Sequence, residues 1–239
     1  MRALWLGRGG LGWATLTEIR HFYHLFLDGD ARWQDIANEY AEVLQASGFP
    51  VVPVVGLIGA DRDEARQWVA GRGWTLGAEA DAGYEQVTLI ALQRALAGMA
   101  DDTAVLYTHG KGAWRNMPLE DQWRRSMLWH LVFGWQDCVK LLDAHEVVGC
   151  HWRRGDHFAG NFWWARAGFL RGLPVLAPAV AESERYAAEL WLGEGHPSRV
   201  ANLVEGFPPE GTEEGARLAS EQLSLRWVRR RAIWPRQEG

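Results

Sequence analysis

The sequence predicts an α/β fold in which a mostly parallel central sheet is flanked by helices. Apolar runs of strand length, at residues 51–58 and 103–108, show almost no polar alternation, which is typical of strands covered on both faces. Segments with apolar residues three or four positions apart separate these runs, and strands that alternate with helices form parallel sheets through right-handed crossovers. The chain has 239 residues, 48% of them hydrophobic, so we expect one domain with a sizeable core.

Three strands and three helices are predicted to alternate in the first part of the chain. Residues 21–27 form the first strand, and Asp28-Gly29-Asp30 is predicted to turn the chain and cap a helix that begins near residue 31. This helix stops at Ser47-Gly48. Its predicted buried face is Trp33, Ile36, Ala37, Tyr40, Val43 and Leu44. Strands at residues 51–58 and 74–76 and helices at residues 61–70 and 84–95 follow.

The second part of the chain begins with a predicted buried strand, residues 103–108, which ends in the loop 109–112. A long helix is predicted over residues 120–142, with an apolar seam of Trp123, Met127, Leu131, Trp135 and Cys138. A short strand at residues 147–150 and a helix at residues 179–192 complete the pattern. Because ligands of such sheets bind beyond the carboxyl ends of the strands, the loop 109–112 is a candidate site.

Composition excludes several classes of protein. There is no apolar run of roughly 18 residues that could cross a bilayer, and a net charge of −5 argues against general nucleic-acid binding. The two cysteines, Cys138 and Cys150, are too few for a disulfide framework, so we expect a soluble, cytoplasmic protein in which both are buried. The sequence has no CxxC, HExxH or GxSxG motif, and no phosphate loop of the kind that a kinase requires.

The two ends of the chain are expected to lie outside the folded domain. We predict an N-terminal extension at residues 1–20, the domain at residues 21–205 and a C-terminal tail at residues 206–239. The tail ends in a basic and aromatic stretch, residues 226–236. This stretch is either a solvated helix end or a segment that makes peripheral contact with an anionic membrane surface.

Lysine is rare in this chain, and its position is therefore informative. Of the 25 basic residues, only Lys111 and Lys140 are lysines. Lys111 lies between Gly110 and Gly112, and small neighbours let a phosphate approach both its ammonium and the backbone N–H groups. At about 4 Å and an effective dielectric near 20, the ammonium would attract a phosphate oxygen by roughly 4 kcal/mol before desolvation. A flexible surface turn is the competing interpretation. 

A second candidate site is the aromatic segment 156–166, which combines a histidine, a glycine, an amide and two adjacent indoles. If the segment is extended, Trp163 and Trp164 point to opposite faces, so one indole can enter the core while the other faces a cleft. Flat apolar rings beside directional polar groups suit a sugar. The polar groups that we expect to contact a ligand are Asp156, His157, Gly160 and Asn161. A buried edge strand with an aromatic cluster explains the segment equally well.

The third candidate is the pair Arg185 and Glu189, which are four residues apart on a predicted helix. They could form an exposed ion pair that contributes a few tenths of a kcal/mol. Alternatively, Glu189 faces a cleft as a general base, and Arg185 holds it or meets a phosphate. The residues alone leave the two interpretations open.

In this order, the three constellations resemble a family of glycosyltransferase-like proteins of bacteria and large viruses. The resemblance covers about residues 21–192, and its most specific part is the motif His-Phe-Ala-Gly-Asn-Phe-Trp-Trp-Ala at residues 157–165. The other matching segments are Tyr84-Glu85, Thr88-Leu89, Tyr107-Thr108-His109-Gly110-Lys111-Gly112, Trp123-Arg124, Val148-Gly149-Cys150 and Glu189-Leu190-Trp191.

The resemblance implies a single Rossmann-like domain of GT-A type that transfers a sugar from a nucleotide-diphosphate sugar. Many such enzymes hold a divalent metal, Mn or Mg, with an Asp-x-Asp at the end of the strand that here ends in Thr108 and His109. This chain lacks those carboxylates, so the resemblance implies no certain metal or other cofactor. The implied partners are a nucleotide sugar and a glycan, lipid-linked or protein acceptor, with no nucleic acid.

The resemblance also implies roles for individual residues. Lys111, helped by His109 and backbone N–H groups, would neutralise the departing diphosphate in place of a metal. If the reaction inverts the anomeric configuration, Glu189, or else Asp156, would take the proton of the acceptor hydroxyl. The residues leave inversion and retention both open. The 160–161 region and the indoles at 163 and 164 would position the sugar. A carbohydrate-binding or degenerate transferase-like protein without catalysis is the alternative, and it would respond to free glycans instead of nucleoside diphosphates.

Overall fold

The computed structural model describes residues 18–27, 32–60, 62–113, 118–179 and 184–204, without the side chains of residues 118, 119 and 185. The strands in these ranges are β1 (Ile19–Leu27), β2 (Val54–Gly59), β3 (Thr75–Ala80), β4 (Ala104–His109), β5 (Val147–Gly149), β6 (Trp152–Arg153), β7 (His157–Phe158), β8 (Trp163–Arg166) and β9 (Val200–Asn202). The helices are α1 (Arg32–Ala46), α2 (Arg62–Gly71), α3 (Gln86–Ala95), α4 (Pro118–Leu128), α5 (Trp135–Leu141), α6 (Ala167–Arg171) and α7 (Arg185–Leu190).

Seven strands form one sheet in the order β3-β2-β1-β4-β8-β5-β9. The neighbours β3-β2, β2-β1, β1-β4 and β5-β9 are parallel, whereas β8 is antiparallel to both β4 and β5. The predicted fold class, an α/β domain with a mostly parallel, Rossmann-like sheet, is therefore confirmed. The order reverses between β1 and β4, and a crevice at such a switch point is where open α/β sheets bind ligands.

Helices cover both faces of the sheet, because the strands are apolar on both sides. Tyr23, Leu25 and Leu27 of β1 pack in one buried cluster with side chains of α1, α2, α4 and α5. Phe22 of β1 belongs to a second cluster, which includes side chains of α3, α6 and α7. Successive residues of a strand point to opposite faces, so each strand contributes to both clusters. Every strand near the site is thus fixed from two sides.

Helix α1 confirms its predicted buried face, since all six predicted residues are buried: Trp33, Ile36, Ala37, Tyr40, Val43 and Leu44. Cys138 and Cys150 are also buried, as predicted. Among the described residues, no helix has the length and apolar character that a membrane span requires.

The long helix predicted at residues 120–142 is interrupted. Helix α4 ends at Leu128, one π-helical segment follows at Trp129–Phe133, and α5 begins after Gly134. The N–H of Gly134 donates to the carbonyl of Trp129, five residues earlier, at 3.1 Å. A Cβ at Gly134 would lie 2.7 Å from the carbonyl oxygen of His130, so this bend requires glycine. The helix predicted at residues 179–192 is shorter as well, since α7 spans only Arg185–Leu190.

Several elements were not predicted, namely the β6-β7 hairpin, α6 and β9. The turn predicted at residues 28–30, most of the extension predicted at residues 1–20 and the tail predicted at residues 206–239 lie outside the described residues.

Candidate functional site

A cleft of about 210 Å³ lies at the carboxyl ends of β1 and β4, where the strand order reverses. Its lining includes the last residue of β4, His109, and the loop 110–113, which we call the lysine loop. It also includes Tyr84 and Glu85 before α3, the turn 160–161 after β7, and two residues of α7, Tyr186 and Glu189. The cleft therefore draws on elements from both faces of the sheet.

The structure brings part of the predicted site together in this cleft. Six predicted residues line it: His109, Gly110, Lys111, Gly160, Asn161 and Glu189. Thr108, Asp156, His157, Trp163 and Trp164 are not among its lining residues. The side chain of Arg185 lies outside the described part of the chain. The lysine loop and the 160–161 turn, which are about 50 residues apart in sequence, thus line the same cleft.

Lys111 is half-buried, and its ammonium is held against an aromatic ring. Its Nζ lies 3.8 Å from the centroid of the Trp123 indole, a cation–π contact with α4. Arg124, on the same helix, donates to the carbonyl of Lys111 at 2.9 Å, and Arg32 donates to the carbonyl of Gly112 at 2.8 Å. Both guanidinium groups also contact Asp121, at 2.7 and 2.6 Å. The lysine loop is thereby anchored to α1 and α4 by side-chain contacts.

The backbone amides of the lysine loop are mostly engaged, and this corrects one expectation. The N–H of Gly110 donates to the carbonyl of His24 at 2.8 Å. The N–H of Lys111 donates to the carbonyl of His109 at 2.8 Å, and that of Ala113 donates to the carbonyl of Gly110 at 3.1 Å. These three groups cannot also cradle a phosphate, because each N–H has one proton to donate. An anion in this cleft would therefore bind the Lys111 ammonium and not a group of backbone N–H donors.

His109 is neutral and cannot help to neutralise a phosphate, which corrects a second expectation. Burial, followed by the nearby Lys111 ammonium, lowers the pKa of His109 to about 3. Its Nε2 lies 2.8 Å from the carbonyl oxygen of Gly160. A carbonyl only accepts, so Nε2 carries the proton and Nδ1 is a hydrogen-bond acceptor. His109 therefore connects β4 to the 160–161 turn and offers the cleft no positive charge.

The 160–161 turn has a left-handed backbone at both residues, with φ of 86° at Gly160 and 51° at Asn161. A Cβ at Gly160 would lie 3.0 Å from side-chain atoms of Met127 and Trp123, so these α4 residues would have to shift, and its φ is one that other residues rarely adopt. The N–H of Gly160 donates to Oε1 of Glu189 at 3.2 Å. This bond orients the Glu189 carboxylate, which is half-buried and lines the cleft.

Asn161 is buried, and its amide is used to hold protein groups together. Its Nδ2 donates to Glu85 Oε2 at 2.7 Å and to the carbonyl of Ala188 at 3.3 Å. Its Oδ1 accepts from Trp163 Nε1 at 2.8 Å. Asn161 therefore joins α3, β8 and α7, and has little capacity left for a ligand.

Glu85 is a cleft residue that the sequence-based site did not include. Its Oε2 accepts from the hydroxyl of Tyr107 at 2.8 Å and from Asn161, while its Oε1 lies 3.9 Å from His109 Nε2. The side chain is 23% exposed, so one carboxylate oxygen is fixed and the group still faces the cleft. The Tyr84-Glu85 match in the family motif was the one signal that could have identified it.

The two adjacent indoles do not line the cleft, and the prediction that one of them faces it is wrong. Trp163 is 1% exposed and Trp164 is 0% exposed. They point to opposite faces of β8, as expected for a strand, but helices cover both faces. Trp163 stacks on Tyr107 with 5.2 Å between ring centroids, and Trp164 donates to the carbonyl of Leu131 at 2.9 Å. Both residues build the core that supports the site.

Three other predicted site residues have partners away from the cleft. Thr108 is fully buried, with its hydroxyl 2.5 Å from that of Tyr40 and 3.2 Å from Nε2 of His21. Asp156 contacts Nδ1 of its neighbour His157 in the β6-β7 hairpin. None of the three lines the cleft, because the Thr108 side chain points towards α1, and Asp156 and His157 lie in the β6-β7 hairpin.

The charge of the cleft is predominantly negative. Its described lining contains the carboxylates of Glu85, Glu120 and Glu189 and a single ammonium, that of Lys111. Within the described ranges, no group of three or more His, Cys, Asp or Glu side chains could hold a metal ion. The end of β4 offers a buried hydroxyl at Thr108 and a hydrogen-bonded neutral imidazole at His109. These residue types do not fit a divalent ion bound there.

Known proteins are similar to this chain over most of its length. A family described as "Domain of unknown function (DUF8361)" matches residues 22–179, which include the lysine loop and the 160–161 turn but not α7. No curated protein matches the chain.

Three solved structures are also similar to this chain. A protein of Desulfovibrio desulfuricans G20, described as a nucleotide-diphospho-sugar transferase, has a TM-score of 0.44 and 11% identity, covering 77% of this chain and 79% of its own. A 4-diphosphocytidyl-2C-methyl-D-erythritol synthase of Anaerococcus prevotii DSM 20548 has a TM-score of 0.42 and 7% identity, covering 86% and 98%. The mannosyltransferase PcManGT of Pyrobaculum calidifontis, in complex with GDP-Man and Mn2+, has a TM-score of 0.36 and 14% identity, covering 88% and 64%.

Proposed function

The chain belongs to the DUF8361 family, and from the chemistry of its cleft we propose that it transfers a glycosyl group from a nucleotide-diphosphate sugar to a hydroxyl acceptor. The observation that carries the proposal is that Lys111 and Glu189 line one cleft at the switch point of the sheet. An inverting glycosyl transfer uses a cation to stabilise the leaving group and a carboxylate to take the acceptor proton.

In the proposed reaction, the bond between the anomeric carbon and the diphosphate oxygen breaks, and its electron pair leaves with the diphosphate. Negative charge then grows on the diphosphate, and the ammonium of Lys111 stabilises it more in the transition state than in the ground state. The acceptor oxygen bonds to the anomeric carbon, and its proton moves to the carboxylate of Glu189. The products are the glycosylated acceptor, a nucleoside diphosphate and protonated Glu189, which then releases the proton to water.

Glu189 is a better candidate for the base than Asp156. Glu189 lines the cleft with Lys111, and the Gly160 N–H binds only one of its two carboxylate oxygens. Asp156 contacts His157 in the hairpin, outside the cleft. A general base must reach the proton that it removes, directly or through one water molecule, so the position of Glu189 supports this role.

A carbohydrate-binding protein without catalysis is the second candidate. The observation that favours it is the excess of carboxylates in the cleft, where Glu85, Glu120 and Glu189 accompany one ammonium. Carboxylates accept hydrogen bonds from sugar hydroxyls but repel a diphosphate. Free glycans would then bind, and nucleoside diphosphates would not.

The two functions differ in their ligands, and thermal shift measurements separate them. The protein would be melted with UDP, GDP, their common sugar conjugates and free oligosaccharides, each with manganese and with a chelator. A ligand at 100 times its dissociation constant stabilises the folded state by about 2.7 kcal/mol, which is a visible shift. The transferase should respond to nucleoside diphosphates and should release them from the conjugates when an acceptor is present. A response to free glycans alone would contradict the transferase and support the binding protein.

A further inference from the structure

Three residues that line the cleft, Glu85, Glu189 and His109, can offer hydrogen-bond acceptors to a ligand. The carboxylate of Glu85 is held in place because its Oε2 accepts hydrogen bonds from Tyr107 and Asn161, at 2.8 and 2.7 Å. Glu189 presents the carboxylate oxygen that the Gly160 N–H does not take. Next to them, His109 donates its Nε2 proton to Gly160, so its Nδ1 can only accept.

The amide nearest to Glu85, that of Asn161, is already used by protein groups. The Asn161 amide donates to Glu85 and to Ala188, and its carbonyl accepts from Trp163. Because three partners hold this amide, it cannot rotate to offer an N–H to a ligand without breaking bonds in a buried region. Glu85 thus faces the cleft as a carboxylate whose orientation is fixed from behind by Tyr107 and Asn161.

A fixed carboxylate discriminates between ligands by charge as well as by hydrogen bonding. It accepts hydrogen bonds from hydroxyl groups of a sugar, and it repels a sugar that carries a carboxylate of its own. Like charges that are brought together in a partly desolvated site weaken binding strongly. The discrimination should therefore depend on the charge of the Glu85 side chain.

We propose that Glu85 makes this cleft selective for a neutral, hydroxyl-rich glycosyl group and excludes hexuronates. The inference rests on the proposed function, since it assumes that the glycosyl group of a nucleotide sugar lies beside Glu85 in the cleft. Tyr107 and Asn161 act as positioning residues for Glu85, and this explains why the aromatic segment contributes to the site although its indoles are buried.

The test uses pairs of nucleotide sugars that differ only at C6. UDP-glucose is compared with UDP-glucuronate, and GDP-mannose with GDP-mannuronate, by calorimetric titration of the full chain, with UDP and GDP as reference ligands. The variants are Glu85→Gln and, as a matched control, Glu79→Gln. Glu79 is an exposed β3 carboxylate that pairs with Arg66 at 2.8 Å and does not line the cleft.

The wild-type protein should bind the neutral member of one pair at least about tenfold more tightly than its hexuronate partner, a difference of about 1.4 kcal/mol. Glu85→Gln should reduce this ratio to about threefold or less, because the glutamine oxygen still accepts from Tyr107 and Asn161 but the charge is gone. Glu79→Gln should keep the wild-type ratio. If Glu85→Gln does not fold, Tyr107→Phe replaces it, and the ratio should fall because one of the two bonds to Oε2 is lost.

If the wild-type protein binds the neutral sugar and the hexuronate equally well in both pairs, the proposal is overturned. A folded Glu85→Gln variant with an unchanged ratio would also overturn it. In both results UDP or GDP still binds, so the transferase assignment survives. If neither the nucleoside diphosphates nor their sugar conjugates bind, the proposed function fails, and this inference fails with it.

Discussion

Replacement of Lys111 by methionine is the perturbation that most directly probes the proposed chemistry. Methionine has a similar length and apolar stem, and its sulfur makes favourable contacts with aromatic rings, so it can remain on the Trp123 indole. The change therefore removes the charge and keeps most of the packing. The cation–π contact, with Nζ 3.8 Å from the ring centroid, is worth roughly 0.5–1 kcal/mol, so we expect only a small loss of stability.

The effect on catalysis should be larger than the effect on stability. An ammonium about 4 Å from a phosphate oxygen supplies roughly 4 kcal/mol at an effective dielectric near 20. Lys111 is half-buried, and its desolvation offsets part of this attraction, which leaves about 2–3 kcal/mol. We therefore expect kcat/KM for the nucleotide sugar to fall about 30- to 150-fold. The engaged amides of the lysine loop cannot replace the lost charge.

The assay is the release of nucleoside diphosphate from the best nucleotide sugar, measured with an acceptor present. Lys140→Met is the matched control, since Lys140 is the other lysine of the chain and is 67% exposed on α5, paired with Asp137 at 3.2 Å. Lys140→Met should keep wild-type kcat/KM. If Lys111→Met stays within about twofold of the wild type, or if both variants lose the same activity, Lys111 does not act on the leaving group.

Three further predictions follow from the same geometry. Glu189→Gln should lower kcat by about 10²- to 10⁴-fold with little change in the affinity for the nucleotide sugar. The reason is that glutamine keeps the hydrogen bond from the Gly160 N–H but cannot take a proton. An unchanged kcat would exclude Glu189 as the base. Burial lowers the pKa of His21 and His109 to about 3 and that of His24 to about 4, whereas these rings protonate near 6.5 in the unfolded chain. The unfolded state thus binds more protons below pH 6.5, and stability should fall by up to roughly 1.4 kcal/mol per pH unit for each ring; equal urea midpoints at pH 7 and pH 5 would contradict this. Trp164→Phe should lower the free energy of unfolding by about 1–3 kcal/mol, measured by urea denaturation, and leave ligand affinity unchanged. If this variant instead keeps the wild-type stability and binds the ligand more weakly, the Trp164 indole belongs to the site.

Local periodicity predicted those parts of the fold whose burial is decided along one segment. The six buried residues of α1 follow from helical spacing alone, and the buried strand that became β4 follows from an unbroken apolar run. Both signals are strong because one element buries its own repeating face. The position of the lysine loop beyond β4 followed from the same strand, together with the rule for parallel sheets.

Long-range pairing could not be predicted in this way. The sequence of β8 does not reveal that it inserts antiparallel between β4 and β5, and this insertion buries Trp163 and Trp164 on both of its faces. The expectation of a ligand-facing indole failed because it assumed that one face of that strand was open. The break in the long helix depends on a single π-helical turn, which helical periodicity does not reveal.

The candidate site was predicted in part for the same reason. Lys111 and Asn161 were identified because unusual residues mark them, a lone lysine between glycines and an amide within an aromatic motif. Glu85 is an ordinary glutamate at the start of α3, and only the folded chain brings it to within 2.7 Å of the Asn161 amide. The engaged loop amides and the neutral His109 likewise depend on bonds to distant segments.

A crystal structure of the full chain with the tightest-binding nucleotide sugar tests the central claim most directly. We expect the diphosphate to lie in the cleft with an oxygen within about 4 Å of Lys111 Nζ, and the sugar to face Glu85 and Glu189. A nucleotide sugar bound at another surface, or bound in this cleft with its diphosphate away from Lys111, would contradict the proposed role of Lys111.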